Sequence, residues 1–158
     1  MAESIEIQAS SRIDKYNELN PQMQGLLSGE SNRVANMANF CAALKQTIDF
    51  HWVGFYLVEG DELVLGPFQG PVACTRLRRG KGVCAAAWEE KTTQIVPDVH
   101  AFPGHIACSE FSQSEIVVPV FNSNRQVWAV LDIDSDQKND FSKMDQKHLE
   151  AMLKYLGE

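Results

Sequence analysis

At Trp52 the apolar pattern of this chain changes period, from the spacing of a helix to a period of two, so the fold must combine helices with a sheet. Residues 52–58 read as a strand, Glu59-Gly60-Asp61 as a turn and 62–65 as the returning strand of a hairpin. A second pair of strands, 114–121 and 126–133, is joined by the turn Asn122-Ser123-Asn124-Arg125. Between the hairpins, 66–79 holds too many Gly, Pro and polar residues for a buried element, apart from a short strand over 73–77. Residues 82–90 read as a helix favoured by Ala85, Ala86, Ala87 and Trp88, and 93–97 as an edge strand. The stretch 98–110 reads as a long loop or broken helix of the kind that serves a site.

Helices flank this β-rich middle. One covers 10–19, with Ile13, Tyr16 and Leu19 at helical spacing and Asn20-Pro21 as its stop. A stronger one covers 31–48, capped by Ser31 or Asn32, with Val34, Met37, Ala38, Cys41, Leu44, Lys45 and Ile48 on one face. The last covers 142–156, opened by Ser142 with Asp145 three residues on. The order implies an α+β fold, a mainly antiparallel sheet covered by helices. The organisation expected is an N-terminal helical arm over 1–30 and one domain over 31–158.

Composition removes several function classes. The chain has 158 residues, 44% of them hydrophobic, enough for a real core in one domain. Its net charge of −7 comes from scattered acidic residues with no basic block, which argues against nucleic acid as a partner. The first residues lack a signal pattern and no apolar run is long enough to cross a bilayer, so a cytoplasmic protein with no membrane partner is expected. Four cysteines in a reducing compartment point away from a disulfide framework and toward metal binding or catalysis.

Three of those cysteines, Cys74, Cys84 and Cys108, lie in short glycine-bearing stretches where a turn or loop presents a thiol. Cys41 falls on the apolar stripe of a helix and reads as a core residue. With His100 and His105 the three thiols would offer zinc ligands, but they lack the close pairing of structural zinc sites, so no metal is expected. Thiol redox chemistry needs a nucleophile and a resolving partner that traps a sulfenic acid as a disulfide, and three such cysteines meet that need. A second group is acidic: Glu115 opens one strand, while Asp132 and Asp134 stand two apart on the next and share a face. The two aspartates read either as a solvated strand-end pair or as a carboxylate cup for a cationic group; with Glu115 joining them, repulsion and burial would keep one carboxyl protonated as a proton donor. Trp52 and Tyr56, four apart on a strand, share a face, where they read either as core packing or as the wall of a pocket. His100 and His105 flank the Cys108 loop and read either as exposed loop residues or as groups that tune a thiolate. Phosphate loops, dinucleotide fingerprints and Ser-His-Asp patterns are absent.

Taken together, Asn39-Phe40, His51-Trp52-Val53-Gly54-Phe55-Tyr56, Leu65-Gly66-Pro67-Phe68-Gln69-Gly70, Cys74, Gly80-Lys81-Gly82-Val83-Cys84, Asp98-Val99-His100, Gly104-His105-Ile106-Ala107-Cys108, Ser114-Glu115-Ile116-Val117-Val118-Pro119 and Leu131-Asp132-Ile133-Asp134-Ser135 resemble the free methionine-(R)-sulfoxide reductases, a catalytic branch of the GAF-domain superfamily. Two positions depart from the family pattern: Ala85-Ala86-Ala87 after Cys84, and Ser109 after Cys108 where an aspartate is common.

The resemblance implies a GAF-like fold, a six-stranded antiparallel sheet with helices on both faces, and a homodimer. It also implies reduction of free L-methionine-(R)-sulfoxide at the expense of two thiols, with thioredoxin as the external reductant and no bound cofactor. Under that reading Glu115 protonates the sulfoxide oxygen and Cys108 attacks sulfur, with the nucleophile's role open between Cys108 and Cys84. Cys74 captures the sulfenic acid, with Cys84 as relay or alternative partner. Asp132 and Asp134 bind the α-ammonium group, and Trp52 and Tyr56 hold the methyl and side chain. Backbone N–H groups of the Cys108 loop, or Arg78, meet the carboxylate. The competing readings are a GAF module that binds a small ligand without turnover, and a thiol protein that reduces peroxide or exchanges disulfides.

Overall fold

A computed structural model describes residues 4–105 and 108–157. Six antiparallel strands form one sheet: β1 (Trp52–Glu59), β2 (Glu62–Gln69), β3 (Arg76–Arg78), β4 (Gln94–Val96), β5 (Ser114–Phe121) and β6 (Val127–Ser135). Their order is β3-β2-β1-β6-β5-β4, which puts β1, β6 and β5 at the centre and the expected edge strand β4 at one border. Four helices accompany them: α1 (Arg12–Leu27), α2 (Arg33–Thr47), α3 (Gly82–Glu90) and α4 (Lys143–Leu153).

The period-two alternation of the central strands divides the core into two layers. Val53, Phe55, Ile116, Val118, Leu131 and Ile133 face α1, α2 and α4 and form the larger core. Trp52, Tyr56, Val117 and Val130 face the other way, against Val83, Cys84, Ala87 and Trp88 of α3. Helices on both faces are therefore present, three on one side and α3 with the long loops on the other.

Three local expectations are corrected. The first helix does not stop at Asn20-Pro21; it continues through Pro21 to Leu27. A proline inside a helix forfeits one backbone hydrogen bond, a cost of about 3 kcal/mol, but Tyr16, Leu19, Met23 and Leu27 are buried along the continuing stripe and offset it. On α2 the buried stripe is turned from the expected one: Val34 is 62% exposed, while Met37, Phe40, Cys41, Leu44 and Thr47 are inside. The return strand is longer than read and runs through Gly66 and Pro67, which sit at an irregularity where Leu65 pairs with Tyr56 and Phe68 with Gly54. Such a bulge suits proline, since β3 flanks β2 only at Glu62, Leu63 and Val64 and the missing N–H leaves no ladder bond unmade there.

The helical layer is tied together by a buried polar group. Asp145, 1% exposed, closes the capping box with Ser142, accepts from the Tyr16 hydroxyl at 2.8 Å and lies 3.5 Å from Arg12. The expected Ser142–Asp145 signal is thus present, and its carboxylate also pins α1 to α4.

Candidate active site

Sheet register gathers the site. Glu115 pairs with Asp134 across β5 and β6, and Asp134 pairs with Trp52 across β6 and β1. Asp132 stands between Val117 and Gly54 in the next row on the same face. The period of two thus turns Leu131 and Ile133 into the large core while Asp132 and Asp134 point to the opposite face. There they join Trp52, Tyr56, Cys84, Cys108 and Glu115 in the lining of one pocket. Cys74 joins these seven through its bond to Cys108.

Cys74 and Cys108, 34 residues apart in sequence, form a disulfide with their Cα atoms 5.6 Å apart. Cys84 differs from the expected loop thiol. It is 5% exposed in the first turn of α3, and its thiol is free. Burial, then the nearby Asp132 and Glu115, push its thiol well above the ordinary cysteine range, so it is held as S–H within hydrogen-bonding reach of Asp132.

The carboxylates lie together in the pocket lining. Glu115 and Asp132 are 5% and 6% exposed. Burial first, then Asp132 and Asp134, raise Glu115 well above the usual carboxylate range, and it donates a hydrogen bond to Asp132. Burial also raises Asp132 and Asp134, opposed at Asp134 by a hydrogen bond from Ser112. Oδ1 of Asp132 is buried with no partner unless a neighbouring acid keeps its proton, so the cluster requires a shared proton or a bound cation.

The aromatic wall has a second duty that spacing did not reveal. Trp52 stacks on Phe68 at 5.2 Å and Tyr56 at 6.0 Å between ring centroids. Its Nε1–H donates to the Pro71 carbonyl at 3.0 Å, and the Tyr56 hydroxyl donates to the Cys74 carbonyl at 2.8 Å. Two side chains of rigid β1 therefore hold the backbone that carries Cys74. Gly54 makes room for this: a Cβ there would stand 2.3 Å from the Trp52 ring and 2.5 Å from Cβ of Phe68. On the other side of the disulfide, His51 Nε2 lies 3.1 Å from Oγ of Ser109, and that Oγ also accepts from the Phe111 N–H.

His105 lines the pocket, with its pKa lowered chiefly by burial, whereas His100 is exposed and does not line it. Ser109 and Ser112 line it too; neither carried a sequence signal beyond lying near Cys108 and Glu115. Arg78 is exposed on β3 and away from the lining. The mouth instead includes Lys81, Gly82 and Val83, where α3 starts without a side-chain cap, so its first N–H groups lack an intrahelical partner beside the pocket. Ile106 and Ala107, part of the Cys108 loop, lie outside the described residues.

Residues 36–158 match the GAF domain family. GAF domain-containing protein A of Dictyostelium discoideum is 55% identical over 157 residues, covering 99% of both chains. The free methionine-R-sulfoxide reductase of Escherichia coli is 43% identical over 146 residues, 92% of this chain and 88% of that one. Among solved structures, the free methionine-R-sulfoxide reductase of Neisseria meningitidis in complex with its substrate superposes with a TM-score of 0.94 at 46% identity, over 97% of this chain and 92% of that one.

Proposed function

As a member of the GAF-domain family in its free methionine-R-sulfoxide reductase branch, this chain is an oxidoreductase, and we propose that it reduces the free amino acid through Cys108, Cys74 and the Glu115 carboxyl. The observation that carries the reading is a disulfide beside a pocket floored by three carboxyls, among which burial raises Glu115 well above the usual carboxylate range.

A sulfoxide sulfur resists a thiolate until its oxygen is protonated, and Glu115 is an acid kept neutral by burial for that step. The Cys108 thiolate attacks sulfur as the proton reaches oxygen, the substrate's S–O bond then breaks as the hydroxyl passes to the Cys108 sulfur, and methionine departs to leave a sulfenic acid on Cys108. The Cys74 thiol then displaces that oxygen as water and leaves the Cys74–Cys108 bond. Two thiols lose two electrons and the sulfoxide gains them. An external dithiol of the thioredoxin class returns the disulfide to thiols by exchange. Cys84 suits the nucleophile's role less well, because burial and two acids hold its thiol protonated.

Asp134 and Asp132 meet the α-ammonium group, which a methionine within a polypeptide lacks, and this selects the free amino acid. The unpaired N–H groups at the start of α3 meet the α-carboxylate, in place of Arg78. The Trp52 and Tyr56 rings pack the methyl group and so separate the two sulfoxide epimers. The test is turnover of separated free L-methionine-(R)- and (S)-sulfoxides with dithiothreitol or thioredoxin, on wild type and Cys108→Ser. Methionine formed from the R epimer alone, and absent in the variant, is the expected result. Full activity in Cys108→Ser would transfer the attack to Cys84, and no turnover of either epimer would overturn the reading.

A further inference from the structure

The floor of the pocket holds a group that the reduction cycle does not fully use. Cys84 Sγ and one carboxylate oxygen each of Glu115 and Asp132 lie within 4.8 Å of one another, all on buried side chains. The three come from different elements, α3, β5 and β6, each fixed by the sheet or packed on it. We propose that Cys84, Glu115 and Asp132 form a binding site for one thiophilic divalent cation of the Zn²⁺ class, taken up in competition with the sulfoxide substrate.

Three observations carry this. A four-coordinate zinc with one sulfur near 2.3 Å and oxygens near 2.0–2.2 Å separates its ligands by about 3.3–3.8 Å, so these side chains need close in by only about 1 Å. Next, Asp132 is 6% exposed and its Oδ1 has no partner unless a neighbour supplies a proton, and a cation fills that need equally well. Finally, the site opens on the pocket, which leaves a fourth position for water or another small ligand, the arrangement of a zinc site with three protein ligands.

The donor set also selects the ion. A thiolate with two carboxylates prefers soft or borderline cations, whereas Mg²⁺ and Ca²⁺ require six or more oxygens and would leave the sulfur unused. One thiolate and two carboxylates carry up to three negative charges in a small buried volume, which a dication relieves as the thiol proton and the proton held between Glu115 and Asp132 leave to solvent. Of the cysteines and histidines named in the sequence analysis only Cys84 takes part; its partners are carboxylates rather than Cys74, Cys108, His100 or His105. The ligand group is therefore intact while the Cys74–Cys108 bond is closed. The competition follows because the ion would stand where Asp132 and Glu115 are proposed to meet substrate, and this half of the inference rests on that reading.

The probe is Cd²⁺, titrated into the full chain with the Cys74–Cys108 bond closed, so that Cys84 and Cys41 are the thiols left. The ultraviolet thiolate-to-cadmium band is followed, with Zn²⁺ as displacing ion. One equivalent per chain is expected to raise the band. It should vanish in Cys84→Ser, persist in Cys41→Ser and need at least about tenfold more Cd²⁺ in Asp132→Asn, each variant checked for folding by circular dichroism. No band on wild type, or a band that survives Cys84→Ser, would overturn the site; should Cys84→Ser not fold, an unshifted titration in Asp132→Asn would do so. Free methionine-(R)-sulfoxide should raise the apparent Cd²⁺ dissociation constant in proportion to its own occupancy. Sulfoxide that binds without moving it would overturn the competition. Sulfoxide that does not bind the metal-free protein would overturn the substrate reading instead, while a Cys84-dependent band would still establish the metal site.

Discussion

Replacing Gly54 by alanine tests how the pocket wall is held. The added methyl would lie 2.3 Å from the Trp52 ring and 2.5 Å from Cβ of Phe68. Phe68 is the cross-strand partner of Gly54, and its Cβ cannot retreat without the strand. The indole must therefore swing away, which breaks its hydrogen bond to Pro71 and its stacking on Phe68 and Tyr56. Overpacking costs about 1–3 kcal/mol and the lost hydrogen bond about 0.5–1.5 kcal/mol, so the variant should lose about 2–4 kcal/mol. For a domain of this size that is a fall in Tm of roughly 4–16 °C. Loss of the apolar wall should lower kcat/KM for methionine-(R)-sulfoxide by about 10- to 200-fold, mainly through KM. Gly25→Ala is the control: it lies within α1 with nothing within 4 Å of its added Cβ, and should stabilise by about 0.5–1 kcal/mol. Scanning calorimetry and steady-state kinetics on both variants decide the matter. A Gly54→Ala protein with wild-type Tm and kcat/KM would refute the claim that the indole lies across β1 in the working protein.

Three further predictions test separate parts of the account. Cys74→Ser should release about one methionine per chain in a burst and then stall, because the sulfenic acid on Cys108 has lost its partner; rapid-quench product analysis reads this, and sustained wild-type turnover would contradict it. The folded-state pKa of Glu115 is raised, so its contribution to stability is fully present below the unfolded value of 4.5 and is lost as pH rises through the folded value. Denaturant midpoints from pH 5 to 8 should accordingly fall less steeply in Glu115→Gln than in wild type, by up to about 1.4 kcal/mol per pH unit, and parallel profiles would sink the assignment. Asp145→Ala removes a cap and leaves the buried Tyr16 hydroxyl without its acceptor, so it should cost about 3 kcal/mol or more by urea denaturation with kcat little changed in the fraction that folds.

Much of this architecture is written locally. The 114–121 strand and the 82–90 helix are found at the positions read from pattern, because alternation and helix propensity act over a few residues. The same period of two placed Asp132 and Asp134 on one face before any neighbour was known, and it placed Trp52 with Tyr56. Three thiols set among glycines pointed to thiol redox chemistry. Where local signals failed, distant packing had won: Pro21 lies inside a helix because Tyr16, Leu19, Met23 and Leu27 bury a common stripe, and Val34 is exposed because the α2 stripe is set by what lies beneath it. By itself the sequence determined the layers, the central strands and the types of reactive group. Which thiols meet was decided only in three dimensions: strand register and the side-chain bonds from Trp52 and Tyr56 bring the Cys74 loop to Cys108 across 34 residues, while α3 buries Cys84 among carboxyls. That division has one physical cause: backbone preference and hydrophobic period are properties of neighbours in sequence, whereas pairing, burial and the pKa of a buried acid depend on residues that only the folded chain brings together.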